Sequence, residues 1–306
     1  MQQYLVQRLL VSVPVLLGVT AIVFAILFLT PGDPVRTMVD PRATEERVQE
    51  IRVQLGLDRP WPEQYLRWLG RVLRGDLGVS ITAKRPVAQL IAEQLPFTLR
   101  LTLTSFVIGT LLGITLGVVA AVKQSSWWDH LITYTSIFWF SMPGFWLGLM
   151  LILIFGLWLR WTPISGYREN GALILPALTL ALPQMGSLAR LVRTEMLEVL
   201  GEEYMKTARA KGVRPFLLFY RHALRNAIIP VAVLLFLNVP WLLGGTVVIE
   251  TIFAWPGLGR LMYQALLQKD FPVVQGLLLI IAFSTVVANL LGDITTVLLD
   301  PRIEQA

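Results

Sequence analysis

There is no cysteine among the 306 residues, and the only two histidines, His130 and His222, stand far apart in the chain. A disulfide framework, a thiolate metal site and a cysteine nucleophile are therefore excluded. A zinc centre or a histidine-based triad has little to be built from. Charge is scarce too. Asp, Glu, Lys and Arg make up 15% of the sequence, where a soluble domain carries about 25%.

What is abundant is apolar surface. Hydrophobic residues reach 55%, and the mean hydropathy is +0.64. A helix needs about 20 apolar residues to cross about 30 Å of hydrocarbon. Six windows qualify, at approximately 9–30, 97–122, 131–159, 172–191, 228–252 and 273–298. The runs are continuous rather than alternating, which predicts helices and not a barrel. The expected fold class is an all-α polytopic membrane protein with about six transmembrane helices. The first run exceeds the about 7–15 apolar residues of a secretory signal. It is followed by the turn Pro31-Gly32-Asp33-Pro34 rather than a small-residue cleavage site, so it reads as a retained span.

The formal charge of +6 is unevenly spread. Between the fourth and fifth runs and on their flanks stand Arg190, Arg193, Lys206, Arg209, Lys211, Arg214, Arg221 and Arg225, eight of the 26 basic residues. The short loops on the other face carry Arg160, Arg168, Arg260 and Lys269. Positive loops stay inside, which places 190–227 and both termini in the cytoplasm. Because the charges cluster beside the spans they orient, membrane lipid is the expected partner of this basicity and nucleic acid is not.

The long external loop, 31–96, has helical signals of its own. Thr44 with Glu45 and Glu46 forms a cap and an acidic first turn, Val48, Ile51 and Leu55 follow at helical spacing, and Gly56 ends the run. Beyond Pro62, Tyr65, Trp68, Leu69 and Val72 share one helical face, with Arg67 and Arg71 outside it. This composition suits a membrane interface and suits equally a small cap packed on the spans.

Within the spans, Gly109, Gly113 and Gly117 recur every fourth residue, a stripe that lets two backbones approach closely in lipid. Ser141-Met142-Pro143-Gly144 interrupts the third run. Asn238, Pro240, Gly244 and Gly245 interrupt the fifth. Such breaks free backbone polar groups that need partners, as in helices lining a cavity, and they also occur as simple packing kinks. Glu250 and Asp293 are ionisable residues inside runs, open to a proton relay or to interfacial pairing.

The cytoplasmic segment holds a short helix with both ends marked. Gly201 interrupts the preceding helix, and Glu202 and Glu203 suit a positive N-terminal dipole. Gly212 closes the helix, with Pro215 just beyond. At about nine residues and 1.5 Å per residue it is about 13 Å long and cannot span a membrane. A compact helix held between two anchored helices fits a groove on a cytoplasmic partner. A solvated basic loop near anionic lipid fits the same residues.

This segment carries a resemblance. Thr207-Ala208-Arg209-Ala210-Lys211-Gly212, followed by Arg221-His222-Ala223-Leu224-Arg225-Asn226-Ala227, resembles the coupling loop of binding-protein-dependent ABC importer permeases, closest to their dipeptide/oligopeptide (peptide/nickel) branch. Similar matches follow in order along nearly the whole chain. They are Pro31-Gly32-Asp33-Pro34, Leu55-Gly56-Leu57-Asp58, Gly75-Asp76-Leu77-Gly78, Ala120-Ala121-Val122-Lys123, Ser141-Met142-Pro143 and the stretch from Glu250-Thr251-Ile252-Phe253 through Trp255-Pro256-Gly257-Leu258-Gly259. Two departures from the wider family, Lys206-Thr207-Ala208 in place of its Glu-Ala-Ala and His222-Ala223-Leu224-Arg225 in place of its Ile-x-Leu-Pro, resemble the peptide branch.

The resemblance implies a type I ABC importer-like fold. Residues 1–95 would hold the first span and external loop, 96–300 a five-helix permease core with its coupling loop at about 194–227, and 301–306 a cytoplasmic tail. It implies a permease subunit in a prokaryotic cytoplasmic (inner) membrane, forming half of the pathway for di- or oligopeptides, with nickel chelates or oligosaccharides as alternative cargo. The implied partners are a second homologous permease, two cytoplasmic ABC ATPase subunits and an external substrate-binding protein. The chain lacks a Gly-x4-Gly-Lys-Ser/Thr loop, so ATP and Mg are expected on the ATPases and no cofactor, metal or catalytic residue on this chain. Glu202, Glu203, Tyr204, Thr207, Ala208, Ala210 and Gly212 are the expected docking element. Met142, Asn238, Gly244 and Gly245 are the expected pathway residues. A proton-coupled secondary transporter using Glu250 and Asp293 is the competing class; it would normally show internal repeats, and no convincing one is seen. An intramembrane enzyme lacks any His pair, Cys or paired-carboxylate motif.

Overall fold

The computed structural model describes residues 2–29, 44–54, 58–244 and 246–299. The Pro31–Pro34 turn, Gly56, Gly245 and the 301–306 tail lie outside the described residues, as do the side-chain surroundings of Asn238 and Gly244. Among the described residues the chain is helical, with one isolated bridge between Val79 and Pro86. The helices are α1 (Gln2–Leu29), α2 (Glu45–Gln54), α3 (Trp61–Leu73), α4 (Val87–Val122), α5 (Trp127–Ser141), α6 (Gly144–Leu151, continued as π-helical Ile152–Trp158), α7 (Ile174–Gly201) and α8 (Glu203–Ala210). A turn at Pro215–Leu217 then leads through π-helical Leu218–Ala223 into α9 (Leu224–Gly244), α10 (Thr246–Ile252), α11 (Leu258–Leu267) and α12 (Phe271–Leu299). Two compact units form, one from residues 97–260 and 288 onward, the other from 2–96 and 261–287.

By length and composition, three segments can cross a membrane: Val87–Val122, Pro215–Leu235 and Phe271–Thr295. The α5–α6 pair makes a fourth if counted as one span broken by a 104° bend. That bend has a chemical cause. Pro143 has no N–H to donate and forces Met142 into extended backbone, so α5 ends at Ser141 and α6 starts afresh. Helix α4 is 36 residues long and begins well before its apolar run. Helix α7 follows the fourth apolar window but continues through Arg190, Arg193, Glu195 and Glu198.

In the first unit α7 is the central helix. The glycine stripe of α4 lies on it. A Cβ at Gly113 would stand 2.8 Å from the Leu188 Cβ, and one at Gly117 2.6 Å from the Val192 Cβ. At Gly109 it would stand 3.0 Å from the Ala181 carbonyl oxygen. On another side, Gly186 of α7 meets the Ser136 carbonyl of α5 so closely that any side chain would collide with it. Asp129, at the start of α5, is 2% exposed. It accepts from Arg193 Nε at 2.5 Å and Nη2 at 2.7 Å, and from the Ser125 N–H at 2.9 Å. One carboxylate thus ties the α4–α5 turn, where Ser125 has a φ of +61°, to the charged end of α7.

In the second unit, α3 packs on α1. Phe24 sits among Trp61, Tyr65 and Trp68 at ring-centroid distances of 5.9, 5.6 and 5.5 Å. The Tyr65 and Thr20 hydroxyl oxygens are 2.8 Å apart. The aromatic face of α3 therefore covers part of the apolar helix α1. Nearby, the buried Asp270 accepts from Ser80 Oγ at 2.5 Å and from the N–H groups of Ile81 and Thr82 at 3.1 Å each, which holds the turn before α4.

Candidate functional site

Helix α8 occupies the stretch between Gly201 and Gly212. Glu202, with ψ of 148°, breaks the chain away from α7, and its carbonyl accepts from Met205 N at 3.0 Å to start the new helix. The far end is a Schellman closure. Gly212 adopts a φ of +74°, its N–H donates to Arg209 O at 3.0 Å, and Val213 N donates to Ala208 O at 3.3 Å. The apolar contact that accompanies this motif is present, because Ala208 and Val213 pack on the same buried cluster.

Met205 anchors the helix. It is the one aliphatic side chain larger than alanine between Gly201 and Gly212, and it is 0% exposed. Its neighbours in the cluster are Val118 and Ala121 of α4, Val192 and Met196 of α7, and Leu218 and Ala223 of the π-helical segment. Burying such a side chain is worth about 1.5–3 kcal/mol. Asn226 of α9 adds a second tie, its Nδ2 donating to Tyr204 Oη at 2.8 Å. With Met205 turned inward, Glu202, Glu203, Tyr204, Thr207 and Ala210 are exposed, Ala208 is half-buried and Gly212 sits at the exposed corner. Lys206 Nζ pairs with Glu203 Oε1 at 2.6 Å. The exposed surface is therefore acidic at its N-terminal end and basic toward Arg209 and Lys211, each sign facing the helix pole that favours it.

Sequence reasoning missed Met205 and Asn226. A helix this short shows no periodicity, so the only available signal was the isolation of one aliphatic residue in a polar stretch.

A cavity of about 500 Å³ lies beside the α5–α6 break. Met142, Gly144, Thr179, Gln184, Ser187 and Val248 are among the residues lining it. It is mostly apolar, with its hydroxyl and amide groups arranged along α7. Gln184 Nε2 donates to Thr110 Oγ1 at 3.2 Å. The Arg190 guanidinium stacks 4.4 Å from the centre of the Phe140 ring, which also lines the cavity. Of the four expected pathway residues, Met142 is placed on this cavity; the surroundings of the other three lie outside the described residues.

Glu250 is 0% exposed and belongs to a closed network. It accepts from Thr98 Oγ1 at 2.7 Å and from the Arg260 N–H at 3.0 Å, while Thr98 Oγ1 accepts from the Leu258 N–H at 2.8 Å. Trp255 N donates to the Glu250 carbonyl at 2.8 Å, and its indole N–H donates to Phe97 O at 2.9 Å. A side chain at Gly257 would overlap the Glu250 carboxylate, so the Trp255-Pro256-Gly257-Leu258-Gly259 turn is shaped to wrap it. The carboxylate caps the first amides of α11, which is a structural use of its charge. Asp293 lies in α12, partly exposed.

Comparison with known proteins agrees with this architecture. Residues 113–305 match the family model described as "Binding-protein-dependent transport system inner membrane component", and residues 1–102 match its N-terminal companion. The chain is 40% identical to the oligopeptide transport system permease protein AppB of Bacillus subtilis, over 99% of this chain and 100% of that one. It is 39% identical to the glutathione transport system permease protein GsiC of Escherichia coli, over 99% of each. Among solved structures, an inward-facing MetNI methionine ABC transporter chain shares the fold, with a TM-score of 0.60 at 18% identity, covering 69% of this chain and 97% of that one.

Proposed function

The chain belongs to the family of inner-membrane components of binding-protein-dependent transport systems, and we propose that it forms half of the pathway through which an ATP-driven importer carries di- or oligopeptides across the cytoplasmic membrane. The observation that carries the coupling part is α8. It is rigidly closed at Gly212, seated by Met205 on α4 and α7, and leaves an outer surface of Glu202, Glu203, Tyr204, Thr207 and Ala210 for a cytoplasmic ATPase. Motion of that ATPase on binding ATP and Mg would pass through Met205 to the helices that line the cavity. The other half of the pathway is a second homologous permease. A second ATPase serves that half, and an external binding protein delivers the cargo.

Six spans with both termini in the cytoplasm suit this assembly, with α1, the bent α5–α6 pair, α7 and the α9–α10 pair each taken as one span beside α4 and α12. Peptide cargo rests on relatives named for oligopeptide and glutathione transport. The cavity at Met142 is the corresponding stretch of the route.

Ala208 and Gly212 are poor sites for a test, because both belong to the helix closure and bulky replacements would unfold it. Exposed positions separate docking from folding. In proteoliposomes containing both permeases, both ATPases and the binding protein, Glu203→Lys with Ala210→Trp abolishes peptide-stimulated ATP hydrolysis and uptake while the isolated chain keeps its melting temperature. Uptake that continues without the ATPases and collapses with the proton gradient overturns the reading in favour of a secondary transporter.

A further inference from the structure

Helix α3 has three sides, and packing on α1 uses only one. Away from the aromatic face, Leu66 and Leu73, two turns apart, are 64% and 79% exposed. The third side carries Arg67 and Arg71, with the C-cap residue Arg74 just past its end, all three exposed and at the spacing that aligns side chains along a helix. Arg67 pairs with Glu63 at 3.0 Å, and Glu63 also pairs with Arg59, so the positive charge grows toward the C-terminal end.

The depth of α3 is set by its partner. Tyr65 Oη reaches Thr20 Oγ1 and lies 3.4 Å from the Leu17 carbonyl oxygen, both within the apolar stretch Leu10–Ala25 of α1. A helix held against the apolar part of a span, with leucines left uncovered, faces acyl chains. Arginine stems are long enough to lie along that apolar surface and place their guanidinium groups among phosphates. We propose that α3 is an anionic-phospholipid site. Arg67, Arg71 and Arg74 hold the headgroup phosphate, and Leu66 and Leu73 enter the acyl region. The proposal rests on reading α1 as a span and on nothing about cargo or ATPases.

The test uses the full chain alone in nanodiscs of phosphatidylcholine, with and without phosphatidylglycerol. A basic side chain near an anionic surface contributes about 1 kcal/mol, or about fivefold in affinity. The Arg67→Gln/Arg71→Gln/Arg74→Gln variant therefore retains phosphatidylglycerol at least about tenfold more weakly in mass spectrometry, at unchanged melting temperature. Brominated acyl chains quench Trp61, read as the difference from Trp61→Phe, and Leu66→Ser/Leu73→Ser reduces that quenching. Equal retention by the arginine variant overturns the proposal, as does absence of Trp61 quenching. So does retention of lipid by both variants combined with lost affinity for the external binding protein, which would make α3 a protein-docking surface. No readout involves transport, so either reading can fail without the other.

Discussion

The carboxylate of Glu250 accepts the hydroxyl of Thr98 at 2.7 Å across 152 positions of sequence, and the same hydroxyl accepts the first amide of α11. Thr98→Val keeps the shape and removes both bonds, leaving the buried Leu258 N–H unpaired and the Glu250 carboxylate with one donor fewer. A buried orphan of this kind costs about 1–3 kcal/mol. The variant should melt clearly below the parent in detergent, and Thr98→Ser should restore most of the loss. A melting temperature unchanged in Thr98→Val would mean that the network adds nothing to stability.

Met205→Ala should undock α8 without unfolding the spans. Removing a buried methionine costs about 2–5 kcal/mol, more than a solitary eight-residue helix can supply. Hydrogen exchange should rise sharply across residues 203–213 while the amides of α4 and α7 stay protected. Thr207→Ala, on the exposed side, should leave exchange as it is.

Glycines divide by what surrounds them. A Cβ at Gly117 would meet Val192, whereas one at Gly70 of α3 meets nothing within 4 Å. Gly117→Ala should destabilise by about 1–3 kcal/mol through overpacking. Gly70→Ala should be neutral or gain up to about 1 kcal/mol from lower backbone entropy. Thermal melts of the two variants side by side test the contrast.

Asp129→Ala should be costlier than removing an ordinary surface charge, because it strands Arg193 and also releases the strained Ser125 turn. Breaking a buried pair costs about 3–5 kcal/mol, an upper figure here since the Arg193 side chain is 28% exposed. Arg193→Met paired with Asp129→Leu should recover much of the loss in a melt, since an apolar pair leaves no stranded charge.

Some of this was legible in the sequence and some was not. The apolar runs mark where helices lie, and Gly201 and Gly212 bracket the stretch that holds α8, because helix ends depend on local backbone chemistry. The stripe from Gly109 to Gly117 points to a close contact but does not say with which helix; the structure places it on α7. Pairings across long separations left no local trace. Asp129 and Arg193 pair across 64 positions, yet Arg193 reads in the sequence as one of eight basic residues beside the spans and Asp129 has no mark of its own. Glu250 reads as open to a proton relay or to interfacial pairing because an isolated carboxylate in an apolar run shows nothing of the amides that surround it. The Pro143 break was visible, but its 104° angle was not, since a kink and a full reversal begin with the same residue.

That break has a hydraulic consequence. The last four carbonyls of α5 find no amide further along their own helix, and in hydrocarbon each would forfeit several kcal/mol. The cavity lined by Phe140 and Met142 opens beside that end of α5. Where the α5–α6 pair crosses hydrocarbon, polar partners for those carbonyls have to come from this cavity. The proline that ends the helix then also marks the place along the cavity where water is tolerated.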